Sequence, residues 1–218
     1  MMAQSAPRPR QVRIRASGPM IGDVASSAPR AESETFSVSE GGLINLNLAL
    51  NDAGGDVGLD LASIRITSGP SNGRIVAVNS DGSVDYLHDG SETTSDSFTY
   101  TIDDLSGATS NVASVGIQVN PQNDPPLASD DWVSMPEGVN IRIDVAANDT
   151  DVDNALDLSS IKIITSPQHG AVTVHTDGSV LYALGAPAAA NDGFSYTIDD
   201  VSGTPSNPAS VTIDITFV

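Results

Sequence analysis

The chain has 218 residues, 39% of them hydrophobic and only 4% aromatic, with no cysteine and a formal net charge of −19. That length accommodates one or two domains with aliphatic cores, while the missing cysteines exclude a disulfide framework and thiolate chemistry. No apolar run approaches the roughly 18 residues of a membrane span, and the acidity excludes nucleic acid and anionic membrane as partners of the main body while favouring cations.

Residues 1–30 carry five of the nine basic residues, Arg8, Arg10, Arg13, Arg15 and Arg30, against the single acid Asp23. Residues 31–218 carry 27 acids against 4 bases, a net of −23. No apolar stretch of the roughly 7–15 residues that a secretory signal needs follows the arginines. Rich in Pro, Ser, Ala and Arg, the segment reads as an extended basic arm. Gln11 to Arg15 alternates apolar and basic residues, a pattern suited to adding a strand to a partner's sheet edge. Arg8, Arg10, Arg13 and Arg15 would then meet acidic groups of that partner.

Residues 31–120 form a first module. Ile44, Leu46, Leu48 and Leu50 alternate with Asn45, Asn47 and Ala49, the period of a half-buried strand. Arg74–Val78 and Val84–Leu87 flank the turn Asn79-Ser80-Asp81-Gly82 as a hairpin. Phe98, Tyr100 and Ile102 alternate with Thr99 and Thr101 in a later strand. Residues 121–127 contain Pro121, Pro125 and Pro126, which make a stiff, extended strut.

Residues 128–218 repeat the first module. Glu40 aligns with Glu137, and Asn51-Asp52 with Asn148-Asp149, at a shift of 97; Asp81-Gly82 meets Asp177-Gly178 at a shift of 96. The strand patterns recur at Ile141, Ile143 and Val145, at Val172–His175 with Val180–Leu184, at Phe194, Tyr196 and Ile198, and finally over Val211–Val218. The chain is therefore expected to be all-β, with two tandem immunoglobulin-like sandwiches of about seven strands each. Trp132, whose nearest counterpart is Phe36, is expected to pack in the core or against the linker.

The stretch after Ala147 concentrates acids: Asp149, Asp151, Asp153 and Asp157. Carboxylates 4 Å apart repel by about 4 kcal/mol per pair at an effective dielectric near 20. Either the loop is open to water, its Asx side chains satisfying their own backbone, or it holds a cation. Alternation points Asp151 and Asp153 the same way. An EF-hand starting at Asp149 fails, because Asn154 stands where Gly is needed and Ser160 where Glu is needed. In the first module, Gly54 replaces the counterpart of Asp151.

Glu40 and Glu137 near the end of a first strand, the Asn-Asp-x-x-x-Asp loops, the Thr-Ile-Asp-Asp ending of a late strand and Asn-Asp-Pro-Pro between the modules together resemble cadherin-like repeats. More narrowly, residues 31–218 are similar to the bacterial immunoglobulin/cadherin-like tandem repeats of large surface adhesins. The resemblance implies calcium at the junction between the modules. Carried over residue by residue, it implies Glu40, Asn123, Asp124, Asp151, Asp153 and Asp199 as ligands, with Asp200 as a substitute for Asp199. It also implies a further acidic motif around Asp96, although the Asp-Arg-Glu triplet itself is missing.

No His-Glu-x-x-His, Gly-x-Ser-x-Gly or phosphate-cradling Gly-x-x-x-x-Gly-Lys is present. His88, His169 and His175 read as turn or surface histidines, and the duplicated Asp103-Asp104 and Asp199-Asp200 as framework. The expected role is therefore non-catalytic: a display protein on a larger assembly, of the phage virion decoration or fibre type, anchored by the arm. The start at Met1, the missing signal and the end of the last strand at Val218 fit an open frame of its own. The alternative is a calcium-dependent adhesion module of a secreted bacterial surface adhesin. A polysaccharide-binding accessory module draws thin support from one Trp and four Tyr. Expected partners are a capsid, tail or cell-surface scaffold through the arm, and a glycan or protein receptor at the cell surface; the expected location is the virion surface or the cell exterior.

Overall fold

The computed structural model describes residues 27–185 and 189–217. Arg8, Arg10, Arg13 and Arg15 lie outside the described residues. Fourteen strands follow one another, seven per module. The first module contains β1 (Glu34–Ser39), β2 (Leu43–Asn47), β3 (Leu59–Ser68), β4 (Gly73–Val78), β5 (Ser83–His88), β6 (Ser95–Asp104) and β7 (Ala113–Asn120). The second contains β8 (Asp131–Pro136), β9 (Ile141–Asp144), β10 (Leu156–Thr165), β11 (Gly170–Val174), β12 (Ser179–Leu184), β13 (Asn191–Asp200) and β14 (Ala209–Thr216).

Each module is a sandwich of a four-stranded and a three-stranded sheet, ordered β1-β7-β6-β3 with β2-β5-β4, and β8-β14-β13-β10 with β9-β12-β11. The first strand of each module pairs parallel to its last; the other ladders are antiparallel. Period-two alternation decides which residues go inside. In β6, Phe98, Tyr100 and Ile102 are buried, and in β13 Phe194, Tyr196 and Ile198 are. They meet Leu46, Val84 and Tyr86, or Ile143, Val180 and Tyr182, from the facing sheet. Each such side chain contributes about 1.5–3 kcal/mol by leaving water.

Two buried polar knots recur in both modules. Asp96 accepts N–H groups of Ser71, Asn72 and Ser97 at 2.9, 3.0 and 2.8 Å and the Tyr86 hydroxyl at 2.8 Å. Asp192 repeats this with Gln168, His169, Gly193 and Tyr182. At the opposite end of the sheet, the Tyr100 hydroxyl meets Asp52 at 3.0 Å and the Tyr196 hydroxyl meets Asp149 at 3.0 Å.

Three expectations need correction. The strand through Ile44 stops at Asn47, and Leu48–Leu50 form one 3-10 turn. Leu48 is fully buried while Leu50 is 82% exposed, because the tighter turn breaks the alternation. Trp132 lies on the outer face of β8, since Asp131, Val133 and Met135 take the inward positions, and its counterpart by register is Thr35, Phe36 matching the inward Val133. His88 is buried rather than superficial.

Candidate metal centre

The junction is built from the lower end of the first module, the linker and the upper end of the second. After β1 the chain turns at Gly41, whose φ of 61° suits a residue without Cβ. The Glu40 N–H donates to the Asn120 carbonyl at 2.9 Å, which ties the turn to the exit of β7. Gln122 N–H then donates to Glu40 Oε2 at 3.1 Å, so the linker starts against the glutamate.

Sequence reasoning missed two residues here. Glu92 lies in the loop between β5 and β6, and one carboxylate oxygen from each of Glu40, Glu92 and Asp124 falls within 4.8 Å of the others. His88 holds the two loops that carry these glutamates. Its Nδ1 accepts N–H groups of Gly41 and Gly90, each at 3.2 Å, and its Nε2 lies 3.0 Å from Thr93 Oγ1. Two donors on Nδ1 require the neutral tautomer with its proton on Nε2.

From the second module, Asp151 Oδ1 accepts the N–H groups of Asp153 and Asn154 at 3.0 and 2.7 Å, which folds the acidic loop. Asp153 Oδ2 accepts the Asp124 N–H at 3.4 Å. Asn123 crosses from linker to module: its amide donates to Asp200 Oδ2 at 2.7 Å and to Thr204 Oγ1 at 3.0 Å, while its oxygen accepts from Ser202 Oγ at 3.0 Å and from the Asn154 amide.

The structure thus brings together Glu40, Asn123, Asp124, Asp151 and Asp153. Asp199 occupies the other face of β13, where its N–H donates to Ser160 Oγ at 2.7 Å, and Asp200 meets Asn123 in its stead. The parity of Phe194, Tyr196 and Ile198 carries this signal, since an inward Ile198 makes Asp200 inward as well. Asp96 belongs to a buried polar knot and not to the junction.

The electrostatics are strained at Glu92 and at Asp153, whose carboxyl is pushed up by partial desolvation and then by the neighbouring Asp151. Partial desolvation, then the charges of Glu40, Asp153 and Asp124, push the Glu92 carboxyl above its ordinary value. At Asp200 burial opposes the charge, but donation from Ser202, Thr204 and Asn123 outweighs it and holds the carboxyl well below the usual range. Glu40 Oε1 and Asp151 Oδ2 are buried, and among the described residues neither has a hydrogen-bond partner. Buried carboxylate oxygens are ordinarily satisfied; Glu34 Oε2 and Asp104 Oδ2 of the first module likewise lack a partner among the described residues, but only Glu40 Oε1 and Asp151 Oδ2 belong to the junction residues.

The donor set fits a hard divalent cation. Calcium takes 6–8 oxygens at 2.3–2.6 Å, which puts opposite ligands roughly 4.6–5.2 Å apart, and the Glu40, Glu92 and Asp124 oxygens lie within that reach of one another. At the upper end of the first module the corresponding set is incomplete. Gly54 stands for Asp151, and a Cβ there would lie 2.4 Å from the backbone of Gly58 and Leu59.

A family profile for the bacterial cadherin-like domain matches residues 26–121 and again 123–217. Among solved structures, the EC1-2 pair of human protocadherin-24 is similar with a TM-score of 0.51 at 12% identity, over 87% of this chain and 99% of that one. The human desmocollin-1 ectodomain is similar with a TM-score of 0.52 at 11% identity over 88% of this chain, which spans only 41% of that one. At such identities the likeness concerns the fold. No curated protein matches the chain by sequence.

Proposed function

The chain belongs to the bacterial cadherin-like domain family, and on that premise we propose that it is a non-catalytic, surface-exposed structural or adhesive spacer locked end to end by calcium. The modules run over 31–120 and 128–218, joined by the strut 121–127. Glu40, Glu92 and Asp124 hold the ion with Asp151 and Asp153, while Asn123 and Asp200 fix the linker against the second module. The cation supplies positive charge that turns mutual repulsion into a cross-link. The single observation carrying this reading is the convergence of carboxylates from three separate segments beside two buried, unpartnered carboxylate oxygens.

At free calcium 100-fold above its dissociation constant the linkage adds about 2.7 kcal/mol. Calorimetry should therefore show a higher melting temperature in calcium than in EDTA, and small-angle scattering a narrower spread of interdomain angles. Equal melting and equal spread in both buffers would overturn the reading. Among the described residues no helix is long and apolar enough to cross a membrane.

The finer role is display from a larger assembly, of the virion decoration or fibre type, with Arg8, Arg10, Arg13 and Arg15 as its anchor. Support comes from the segregation of five of nine basic residues into the first thirty, ahead of a body of charge −23. Removal of residues 1–30 should abolish incorporation into that assembly, and full occupancy without them refutes the anchor. The family itself favours the second reading, a module of a secreted bacterial adhesin, and neighbouring genes for secretion rather than for capsid or tail would decide for it.

A further inference from the structure

Trp132 is the only tryptophan of the chain and is 65% exposed. Its Nε1–H donates to Asp214 Oδ2 at 3.2 Å, two residues along β14 from Thr212, its partner in the β8–β14 ladder. The indole is therefore pinned along the outer surface of the sheet. Beside it lies a groove of about 360 Å³ whose lining includes Thr165, Gly193, Ser195, Ser210 and Thr212. Trp132, Thr212 and Gly193 share one rung across β8, β14 and β13, and the Ser195–Thr165 pair carries the row onto β10. At the usual strand spacing of about 4.8 Å this row spans roughly 14 Å.

The first module shows that the sandwich forms without the tryptophan and without a side chain at the position of Thr212. Its equivalent rung is Thr35, Gly116 and Ser97, with no aromatic residue. There the Thr99 hydroxyl is paired with Thr67 Oγ1 at 2.7 Å; in the second module Ile164 takes the place of Thr67 and leaves the Ser195 hydroxyl without that partner. Trp132, Thr212 and the released Ser195 hydroxyl are thus peculiar to the second sheet, while the hydroxyls of Ser210, Ser195 and Thr165 recur in the first as Ser114, Thr99 and Ser68.

We propose that this face of the second module binds a neutral polysaccharide, one sugar ring stacked on Trp132 and its neighbours hydrogen-bonded along Thr212, Ser210, Ser195 and Thr165. A pinned, exposed indole offers an apolar plane to the C–H face of a pyranose, as aromatic side chains do in amphipathic recognition. Hydroxyls both donate and accept, which matches the alternating demands of sugar hydroxyls. Asp214, fixed by the indole, keeps a second oxygen as an acceptor. Asp130, which accepts the Ser210 N–H at 2.7 Å, and Asp214 flank the row, with Lys162 of β10 as the neighbouring base. With the chain at −19 overall, this balance repels sulfated and uronate polymers.

A lone tryptophan makes the test direct. The full chain is titrated with soluble β-glucan, galactomannan and xylan, and with alginate as the anionic comparison, while tryptophan emission and retardation in polysaccharide-containing native gels are followed. At least one neutral polymer should shift the emission and retard the protein, and alginate should do neither. Trp132→Thr, which installs the residue of the first module, should weaken retardation about tenfold with the melting temperature unchanged. Trp132→Phe should restore part of it, and Thr212→Lys, which covers the groove, should abolish it. Retardation by no neutral polymer, retardation by alginate alone, or retardation indifferent to Trp132→Thr would each overturn the proposal.

Discussion

Replacing Asp96 by Asn separates a framework carboxylate from a metal ligand. Oδ1 of Asp96 takes the N–H groups of Ser71 and Ser97, and Oδ2 takes the Asn72 N–H and the Tyr86 hydroxyl. An asparagine that keeps its oxygen on the first pair turns its amide toward the second. The Tyr86 hydroxyl can rotate to accept, but the Asn72 N–H then faces another donor. One orphaned, partly buried donor costs about 1–3 kcal/mol, and loss of charge weakens the remaining bonds by about 1 kcal/mol more. A total near 3 kcal/mol lowers the melting temperature of a module this size by about 12–24 °C. Burial works to raise the Asp96 carboxyl, but the N–H groups of Ser71, Ser97 and Asn72 and the Tyr86 hydroxyl outweigh it, so the group sits below its ordinary value. Its stabilisation is present above the unfolded pKa near 3.8 and is lost as pH falls through the lower folded value. The variant should therefore lose stability at neutral pH and lose part of its acid sensitivity. Scanning calorimetry offers an internal reference, because Asp192 keeps the second module intact and only one transition should move. The calcium-induced rise should survive. A variant that melts like the parent, or that loses its calcium response with both transitions in place, refutes the assignment of Asp96 to the framework.

Glu92→Gln removes one of three crowded carboxylates, so its melting temperature should rise in EDTA while the increment from calcium shrinks; thermal scans in both buffers check the opposite signs. For Glu34, burial first and the charge of Asp52 second push the carboxyl up to about 8, against a hydrogen bond from Tyr100. The folded state then keeps a proton that the unfolded chain releases near 4.5, so stability is full below that pH and declines as pH rises toward 8. Urea midpoints of the first module should fall between pH 5 and pH 9, and Glu34→Gln should flatten the slope. His88→Leu installs the residue found at the matching end of β12, Leu184, and withdraws the acceptor from the Gly41 and Gly90 N–H groups. It should cost about 1–3 kcal/mol and weaken calcium affinity measured by titration calorimetry.

The repeat and the period-two strands were legible because both are written in residue order: a shift of 97 aligns the acids, and alternation fixes each face. The same alternation, applied to β8 and β13, already tells Trp132 from its inward neighbours and Asp200 from Asp199. Glu92 carried no such mark. It lies in an irregular loop whose counterpart is rich in alanine, so neither repetition nor period points to it; only the folded loop brings it beside Glu40. His88 was hidden for a related reason, since its partners are backbone groups, which no side-chain pattern reveals. Leu50 was misplaced because a 3-10 turn and a strand both read as alternating leucines until the chain direction is known.

The parallel pairing of first and last strands bears on tension. β1 and β7 run side by side over the six pairs from Glu34–Val115 to Ser39–Asn120, and β8 and β14 over the six pairs from Asp131–Val211 to Pro136–Thr216. A pull on the two ends of either module drags these neighbours past each other along their length. Their hydrogen bonds then carry the load together and do not open one at a time, so each module should resist stretching as a shear clamp.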